Sequence, residues 1–262
     1  MTVHTWADLL AHAPPFDRPV RLTIGVFDGV HVGHRRLLEA IVQGEQGNNG
    51  LPLVIAFRRS PAASFSPATF PGLLLSHDQK LARLASLGVE AVVVIDFSEE
   101  MSKLPGKAFI GLLTENLTIQ KIVVGHNFRF GRSRDSGNDD LKEMVSAAAI
   151  DVQVTEPVFR GDAIVSSSRI RATVRGGDFA EARAMLMADY ALDLRGVAVR
   201  PAGPGRFSVL RRDIAQVLPE TGDYPVLVTG ADGERSGRLQ ACTESLTLSA
   251  PGAGAVASIV FP

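Results

Sequence analysis

Thr23-Ile-Gly-Val-Phe-Asp-Gly-Val-His-Val-Gly-His34 is where the pattern of this chain changes. The apolar run Leu22–Phe27 ends inside it and reads as a buried strand. Behind it, Arg35–Gln46 carries Leu37, Leu38, Ile41 and Val42 at helical spacing. A strand, a glycine-bearing turn and a helix therefore follow one another without a break. The same alternation continues down the chain. Leu53–Phe57, Ala91–Ile95, Lys121–Val124 and Val152–Val154 read as further strands. Helices are expected from Ser76 to Leu87 (Ser76 and Gln79 forming a capping box), over Phe109–Leu117, over Asp139–Ala149 and over Asp178–Met187. Such alternation predicts an α/β fold, a Rossmann-like parallel sheet with helices on both faces. In sheets of that kind the ligand binds in the loops beyond the carboxyl ends of the strands.

Thr23–His34 also carries chemistry. His31 and His34 stand three apart at the mouth of the expected helix, with Gly33 between them. A helix N-terminus offers unpaired N–H groups and partial positive charge, which attract phosphate. Glycine lets backbone approach a ligand closely. Six histidines in 262 residues make a His-x-x-His pair weak by itself. Three readings stay open on spacing alone: phosphate chemistry, a metal site from Asp28, His31 and His34, or two surface histidines on an ordinary turn.

After about Tyr190 the character shifts. Lysine disappears, Pro and Gly become frequent, and short β-like runs recur at Gly196–Val199, Phe207–Leu210, Pro225–Thr229, Leu246–Leu248 and Ala255–Phe261. A small all-β, barrel-like domain is expected there. The domain reading is thus 1–190 and 191–262. Lys+Arg is 27 and Asp+Glu 28, a net charge of -1, which argues against a general nucleic-acid binder. The lone Cys242 excludes an internal disulfide and any multi-cysteine metal site. Met1–Leu10 shows no signal-peptide pattern, and Ser245–Pro262 is too polar and too short to span a bilayer. A cytoplasmic protein is expected, with no membrane partner; homo-oligomerisation stays open.

Two further stretches stand out. Val123–Gly137, VVGHNFRFGRSRDSG, follows a strand and holds Phe128, Phe130, Arg129, Arg132 and Arg134 among glycines. Aromatics stack on bases or flavins and arginines meet phosphates; an exposed basic loop with both rings folded inward is the plainer alternative. Val165–Gly177, VSSSRIRATVRGG, begins a helix at one of Ser166, Ser167 or Ser168. Arg169 in its first turn opposes the helix dipole unless an anion is bound; a capped amphipathic helix with solvated arginines is the alternative. Walker A, G-x-G-x-x-G, H-E-x-x-H and G-x-S-x-G patterns are all missing from the sequence.

Taken in order, these motifs resemble the bacterial FAD synthetase family, the bifunctional riboflavin kinase/FMN adenylyltransferases. The resemblance covers roughly Arg21–Tyr190 and rests on Thr23–His34, on V-V-G-x-N-F-R-F-G-x-x-R at Val123–Arg134, and on S-S-x-R-I-R at Ser166/Ser167–Arg171 with Gly177–Ala182 following. It implies that the phosphate of FMN attacks the α-phosphorus of ATP to give FAD and pyrophosphate. It implies His31, His34 and Arg169 as catalytic residues, with Gly25, Phe27, Asp28, Gly33, Ser167, Ser168 and Arg171 binding ATP and its phosphates. Gly125, Asn127, Phe128, Arg129, Phe130 and Gly131 would shape the flavin and nucleotide pocket. Mg²⁺ would come with ATP, and no protein metal site is implied.

The sequence departs from that family in places. Val26 stands where the family usually has Asn, Asn127 where it has Asp, and Phe57-Arg58-Arg59-Ser60-Pro61 where it has F-[DE]-P-x-P. L-G-R-P-Y is reduced to Leu186-Met187-Ala188-Asp189-Tyr190. The family's riboflavin-kinase barrel carries a Pro-Thr-Ala-Asn motif; here Phe207–Arg212 occupies its place, and Asn138 is the last asparagine of the chain. A degenerate, kinase-dead barrel is therefore expected. Two alternatives remain: a flavin- or nucleotide-binding pseudoenzyme, and a nucleotidyltransferase for another phosphorylated acceptor.

Overall fold

The structure is a computed structural model that describes residues 1–11, 16–43, 49–58, 69–96, 98–230 and 233–262. Arg59-Ser60-Pro61 and the end of the expected 35–46 helix lie outside the described residues. The chain forms two compact units.

The first unit comprises the described residues of Met1–Phe27, Gly33–Ala68 and Leu81–Phe159. It holds one wholly parallel sheet of six strands: β1 (Thr2–Thr5), β2 (Val20–Gly25), β3 (Leu51–Phe57), β4 (Ala91–Ile95), β5 (Ile119–Gly125) and β6 (Asp151–Thr155), in the order β1-β4-β3-β2-β5-β6. Helices α1 (Trp6–Leu10), α2 (Val32–Val42), α3 (His77–Ser86), α4 (Glu99–Lys103), α5 (Gly106–Asn116) and α6 (Asn138–Val145) lie between the strands. The middle strands are buried along almost their whole length, Arg21 and Thr23 of β2 included, because both their faces are covered. Leu22, Ile24, Leu53, Ile55, Val93 and Ile95 meet Leu9, Phe109, Ile110, Leu113, Leu141 and Val145 in one core. The alternating residues Val54, Val92, Val94 and Val123 are buried on the opposite face. From β2 onward the order is that of a doubly wound sheet, with its switch point at β2, between β3 and β5. The Gly25 end of β2 opens directly into the motif.

Strand β1 and helix α1 were not expected. Thr5 and Asp8 form a capping box (Asp8 N–H to Thr5 Oγ1, 3.1 Å; Thr5 N–H to Asp8 Oδ2, 2.7 Å). The helix it opens is only five residues long. Such a short element exists because β1 finds an edge on β4, not through its own propensity.

The second unit comprises Asp28–Val32, the described residues of Thr69–Lys80, and the described residues of Arg160–Pro262. After a two-stranded hairpin of β7 (Phe159–Arg160) and β8 (Ala163–Ile164) come α7 (Ser167–Arg175) and α8 (Phe179–Leu186). Seven strands then form an antiparallel, half-barrel sheet: β9 (Tyr190–Asp193), β10 (Arg200–Gly203), β11 (Arg206–Leu210), β12 (Gly222–Gly230), β13 (Gly233–Ala241), β14 (Ser245–Ser249) and β15 (Val256–Phe261). Its core joins Ile170 and Val174 of α7 and Met185 and Leu186 of α8 to Leu192, Val209, Val226, Leu239, Leu246 and Ile259 of the sheet. Phe179 stacks on Phe261 at 4.1 Å between ring centroids.

Gly196–Val199 is not a strand. Gly196 has φ +78° and Val197 N–H closes a turn onto Leu194 O at 3.0 Å, so pairing begins only at Arg200. β13, GERSGRLQA, carries no apolar alternation, yet pairs with β12 along nine residues and with β14 on its other side. Its neighbours make it a strand.

Candidate active site

The turn that leaves β2 is wound against ordinary backbone preference. Phe27 has φ +52°, Gly29 +87° and Val30 +42°. Left-handed φ is costly for an aromatic and more so for a β-branched residue, so the surroundings must hold this turn in place. In the first unit, the Phe27 ring is fully buried, and a Cβ on Gly25 would stand 3.1 Å from its Cε2. Gly25 is thus the space in which Phe27 lies. The Phe27 ring also meets the His34 imidazole at 5.1 Å between centroids.

In the second unit, Asp28 is buried and acts as a hub. Its carboxylate accepts from Leu74 N–H (2.9 and 3.1 Å to its two oxygens) and from Leu75 N–H (3.2 Å). It also pairs with the Arg171 guanidinium. Its carbonyl accepts from Ser167 Oγ at 2.8 Å. Arg171, 9% exposed, additionally donates to Gly72 O at 2.9 Å and lies 5.1 Å from the Phe70 ring centroid. Two motifs some 140 residues apart are therefore joined through Asp28. A Cβ on Gly29 would stand 2.9 Å from Leu74 Cδ1, so the motif's second glycine is needed for close packing as well as for φ.

His31 is 6% exposed and immediately precedes α2, whose first turn has no acidic residue. Burial first, and the Arg171 charge second, lower its pKa to about 4. The imidazole is neutral at physiological pH and can donate one N–H without carrying a charge. His34, one turn into α2, is half-buried.

Helix α7 opens as expected. Ser166 is the N-cap, and its hydroxyl accepts from Arg169 N–H at 3.3 Å. Ser167 and Ser168 form the first helical turn. The side chain of Arg169 turns aside: it donates to Arg160 O (3.0 Å) and Ala163 O (2.8 Å) and pairs with Glu181 at 3.0 Å. Glu181 and two carbonyls thus answer the cation that the sequence left unbalanced. Arg160 also pairs with Glu181, at 2.7 Å.

The loop after β5 belongs to the first unit and leaves the same end of the sheet as the turn after β2, because the two strands are adjacent and parallel (Thr23 opposite Val123). Asn138 pins it, donating to Gly125 O (3.2 Å) and His126 O (2.9 Å). Phe130 is buried, stacked on Phe128 at 5.2 Å and 6.4 Å from Phe109. Asn127 and Arg129 are exposed. Gly131 has φ +79°, and a Cβ there would strike Asp135 and the Gly106 backbone. The plainer alternative thus describes Phe130, while the rest of the loop keeps a polar rim.

Sequence reasoning missed the segment Gly72–Leu75, whose N–H groups hold Asp28, and it missed Glu181 and Gln216. Pro71-Gly72 is a turn signal, but nothing local says that a carboxylate lies above it. Among the described residues no three His, Cys, Asp or Glu side chains gather to hold a metal. No helix among them is long and apolar enough to cross a membrane.

Residues 13–169 match the family described as FAD synthetase. The bifunctional riboflavin kinase/FMN adenylyltransferase of Escherichia coli (strain K12) is 32% identical over 215 residues, covering 80% of this chain and 68% of that protein. The FAD synthetase of Listeria monocytogenes is 31% identical over 170 residues, 64% of this chain and 69% of its own length. A crystal structure titled as a macrolide-efflux protein from Streptococcus pneumoniae superimposes with a TM-score of 0.83 at 20% identity, covering 100% of this chain and 89% of that one; it shares the fold. Length and identity of match together with the assembled motifs lead to one conclusion: this chain belongs to the FAD synthetase family.

Proposed function

We propose that the protein is an FMN adenylyltransferase. A phosphate oxygen of FMN forms a bond to the α-phosphorus of ATP, the bond to the β-phosphate bridging oxygen breaks, and FAD and pyrophosphate leave. The observation that carries this reading is the junction of the two phosphate motifs at Asp28, with neutral His31 beside it. No nucleophilic side chain is required; positioning and stabilisation of the charge on the transferring phosphoryl group do the chemistry. His31, as a neutral donor, and His34 meet phosphate oxygens. The Ser167 and Ser168 N–H groups, at the start of α7, take the β- and γ-phosphates, and Arg169 joins them by exchanging its Glu181 contact for a phosphate oxygen. Gly33, without a side chain, lies in the first turn of α2. Asp28 and Arg171, saturated by each other and by backbone, hold the two motifs together. Asn127, Arg129 and the Gly125–Gly131 backbone line the flavin, and the Phe128/Phe130 stack stiffens that loop. Both Asp28 oxygens are engaged, so Mg²⁺ enters as part of the ATP substrate.

Residues 1–190 carry this reaction, and residues 191–262 are a riboflavin-kinase-like module without kinase activity. Phe207–Leu210, where the family's phosphate motif belongs, lies in a strand paired to β14 along its length, with Val209 buried. That regular pairing supports the loss. The test is chromatographic. Purified protein with ATP and Mg²⁺ is given FMN in one tube and riboflavin in another. FAD from FMN alone is expected. FAD from riboflavin overturns the kinase-dead reading, and no product in either tube overturns the transferase.

A further inference from the structure

We propose that Gln216, far along the chain in its β-rich end, is a positioning residue for the phosphate-handling segment Asp28–Val32. The inference rests on the adenylyl-transfer reading above. That segment cannot hold itself: three of its four turn residues from Phe27 to Val30 sit at positive φ. Its anchor is the Asp28 carboxylate, and apart from Arg171 the groups that grip that carboxylate are the N–H groups of Leu74 and Leu75. Asp28 is therefore placed only as well as the 72–75 backbone is placed.

What places 72–75 is the stretch around Gln216. Leu73 N–H donates to Ala215 O at 2.9 Å, and Val217 N–H donates to Leu73 O at 2.8 Å, a short parallel bridge. Gly72, at φ +109°, allows the approach; a Cβ there would stand 2.7 Å from Val217 N. The Gln216 side chain, 5% exposed, completes the tie. Its amide N–H groups reach Leu74 O (3.2 Å), Ala191 O (2.9 Å) and Gln79 Oε1 (3.1 Å), and its oxygen accepts from Asp193 N–H (2.7 Å). One buried amide thus fastens the residue whose N–H holds Asp28, the capping glutamine of α3, and strand β9. Losing it would leave Asp193 N–H and Leu74 O short of partners in a dry environment. Gln216 touches no phosphate and acts through Leu73–Leu75 and Asp28. On this view the β-rich end of the chain is kept because its 215–217 backbone and Gln216 set the floor beneath the transferase motif, whatever its own former activity.

The test compares the full-length wild type with Gln216→Met, which keeps length and apolar volume but removes all four hydrogen bonds. Initial rates of FAD formation are measured against ATP and against FMN, with amide hydrogen exchange at Leu73–Leu75 followed in parallel. The expected result is an ATP KM raised about tenfold with the FMN KM within about twofold of wild type, the pattern of lost binding geometry at one substrate only. Amide exchange at Leu74 and Leu75 should rise in step. An ATP KM within about twofold of wild type overturns the inference whatever the exchange shows, and so does an equal rise in both KM values, which marks a general loss of structure. If Gln216→Met does not fold, Gln216→Asn, which keeps the amide but shortens its reach, is judged by the same criteria. A wild type that makes no FAD overturns the transferase reading itself, and that failure is seen before any variant is compared.

Discussion

His31 shows how burial fixes the charge state of a common side chain. Held at a pKa of about 4 by desolvation and by Arg171, it stays neutral through the physiological range. His31→Ala is expected to lower the rate of FAD formation by roughly 10²–10³, the scale of losing one donor to a transition-state oxygen; a variant keeping more than about a tenth of wild-type activity contradicts that role. The same shift is a statement about stability. An unfolded imidazole titrates near 6.5, so between pH 6.5 and 4 the unfolded chain binds the extra proton and the folded one does not. The stabilising difference is complete above pH 6.5 and is lost as pH falls towards 4. Urea unfolding at pH 7 and pH 5 should lose about 2 kcal/mol from this group alone, and His31→Gln should remove that share of the pH dependence. Asp28 is the other residue whose environment decides its role. Asp28→Ala strands the buried Arg171 guanidinium and two backbone N–H groups, and should cost about 3–5 kcal/mol by denaturant titration.

Among elements, α7 was legible and the Gly72–Leu75 segment was not. Helix α7 announces itself through Ser166, because a hydroxyl before an amphipathic run satisfies N–H groups the helix cannot satisfy itself. Ser166→Ala should cost about 1 kcal/mol in thermal or denaturant unfolding. Arg169 reads from the sequence as a cation that calls for a bound anion; within the chain, Glu181 and two carbonyls meet it. Its partner within the chain, Glu181, sits on α8, and only the packing of α7 against α8 brings the two together. Gly72–Leu75 has no helical or alternating pattern; its shape comes from the Ala215–Val217 backbone. Gly72→Ala meets both a left-handed φ and a 2.7 Å clash, so a loss of about 1–3 kcal/mol is expected. An unchanged melting temperature in that variant would show that the bridge to Val217 carries little.

For the whole molecule, a cut at the composition change near Tyr190 divides a hydrophobic core. Phe179 and Tyr190 lie with Phe261 and Tyr224 in one aromatic cluster, and the Tyr190 hydroxyl donates to Val217 O at 2.6 Å. A fragment of residues 1–190 should therefore unfold over a broader temperature range than the full chain by calorimetry, since α7 and α8 lose the sheet that covers them while the parallel sheet keeps its own core. A fragment that unfolds as sharply as the full chain would show that the antiparallel sheet is dispensable for folding.

The sequence alone determined strands β2 to β6 with helices α2, α3, α5 and α6, the capped start of α7, the all-β character of the end and the motifs that mark the family. Each of these is local: a periodicity, a cap, or residues adjacent in the chain. Tertiary structure alone decided that β1 and β13 are strands, that Gly196–Val199 is a turn, and that Phe130 faces inward. It alone decided that Asp28 is an anchor held by Leu74, Leu75 and Arg171, and that Gln216 stands behind that anchor. Those outcomes depend on partners distant in sequence, and the free energy that fixes them, the satisfaction of buried hydrogen bonds and charge, exists only once the partners are brought together and water is excluded.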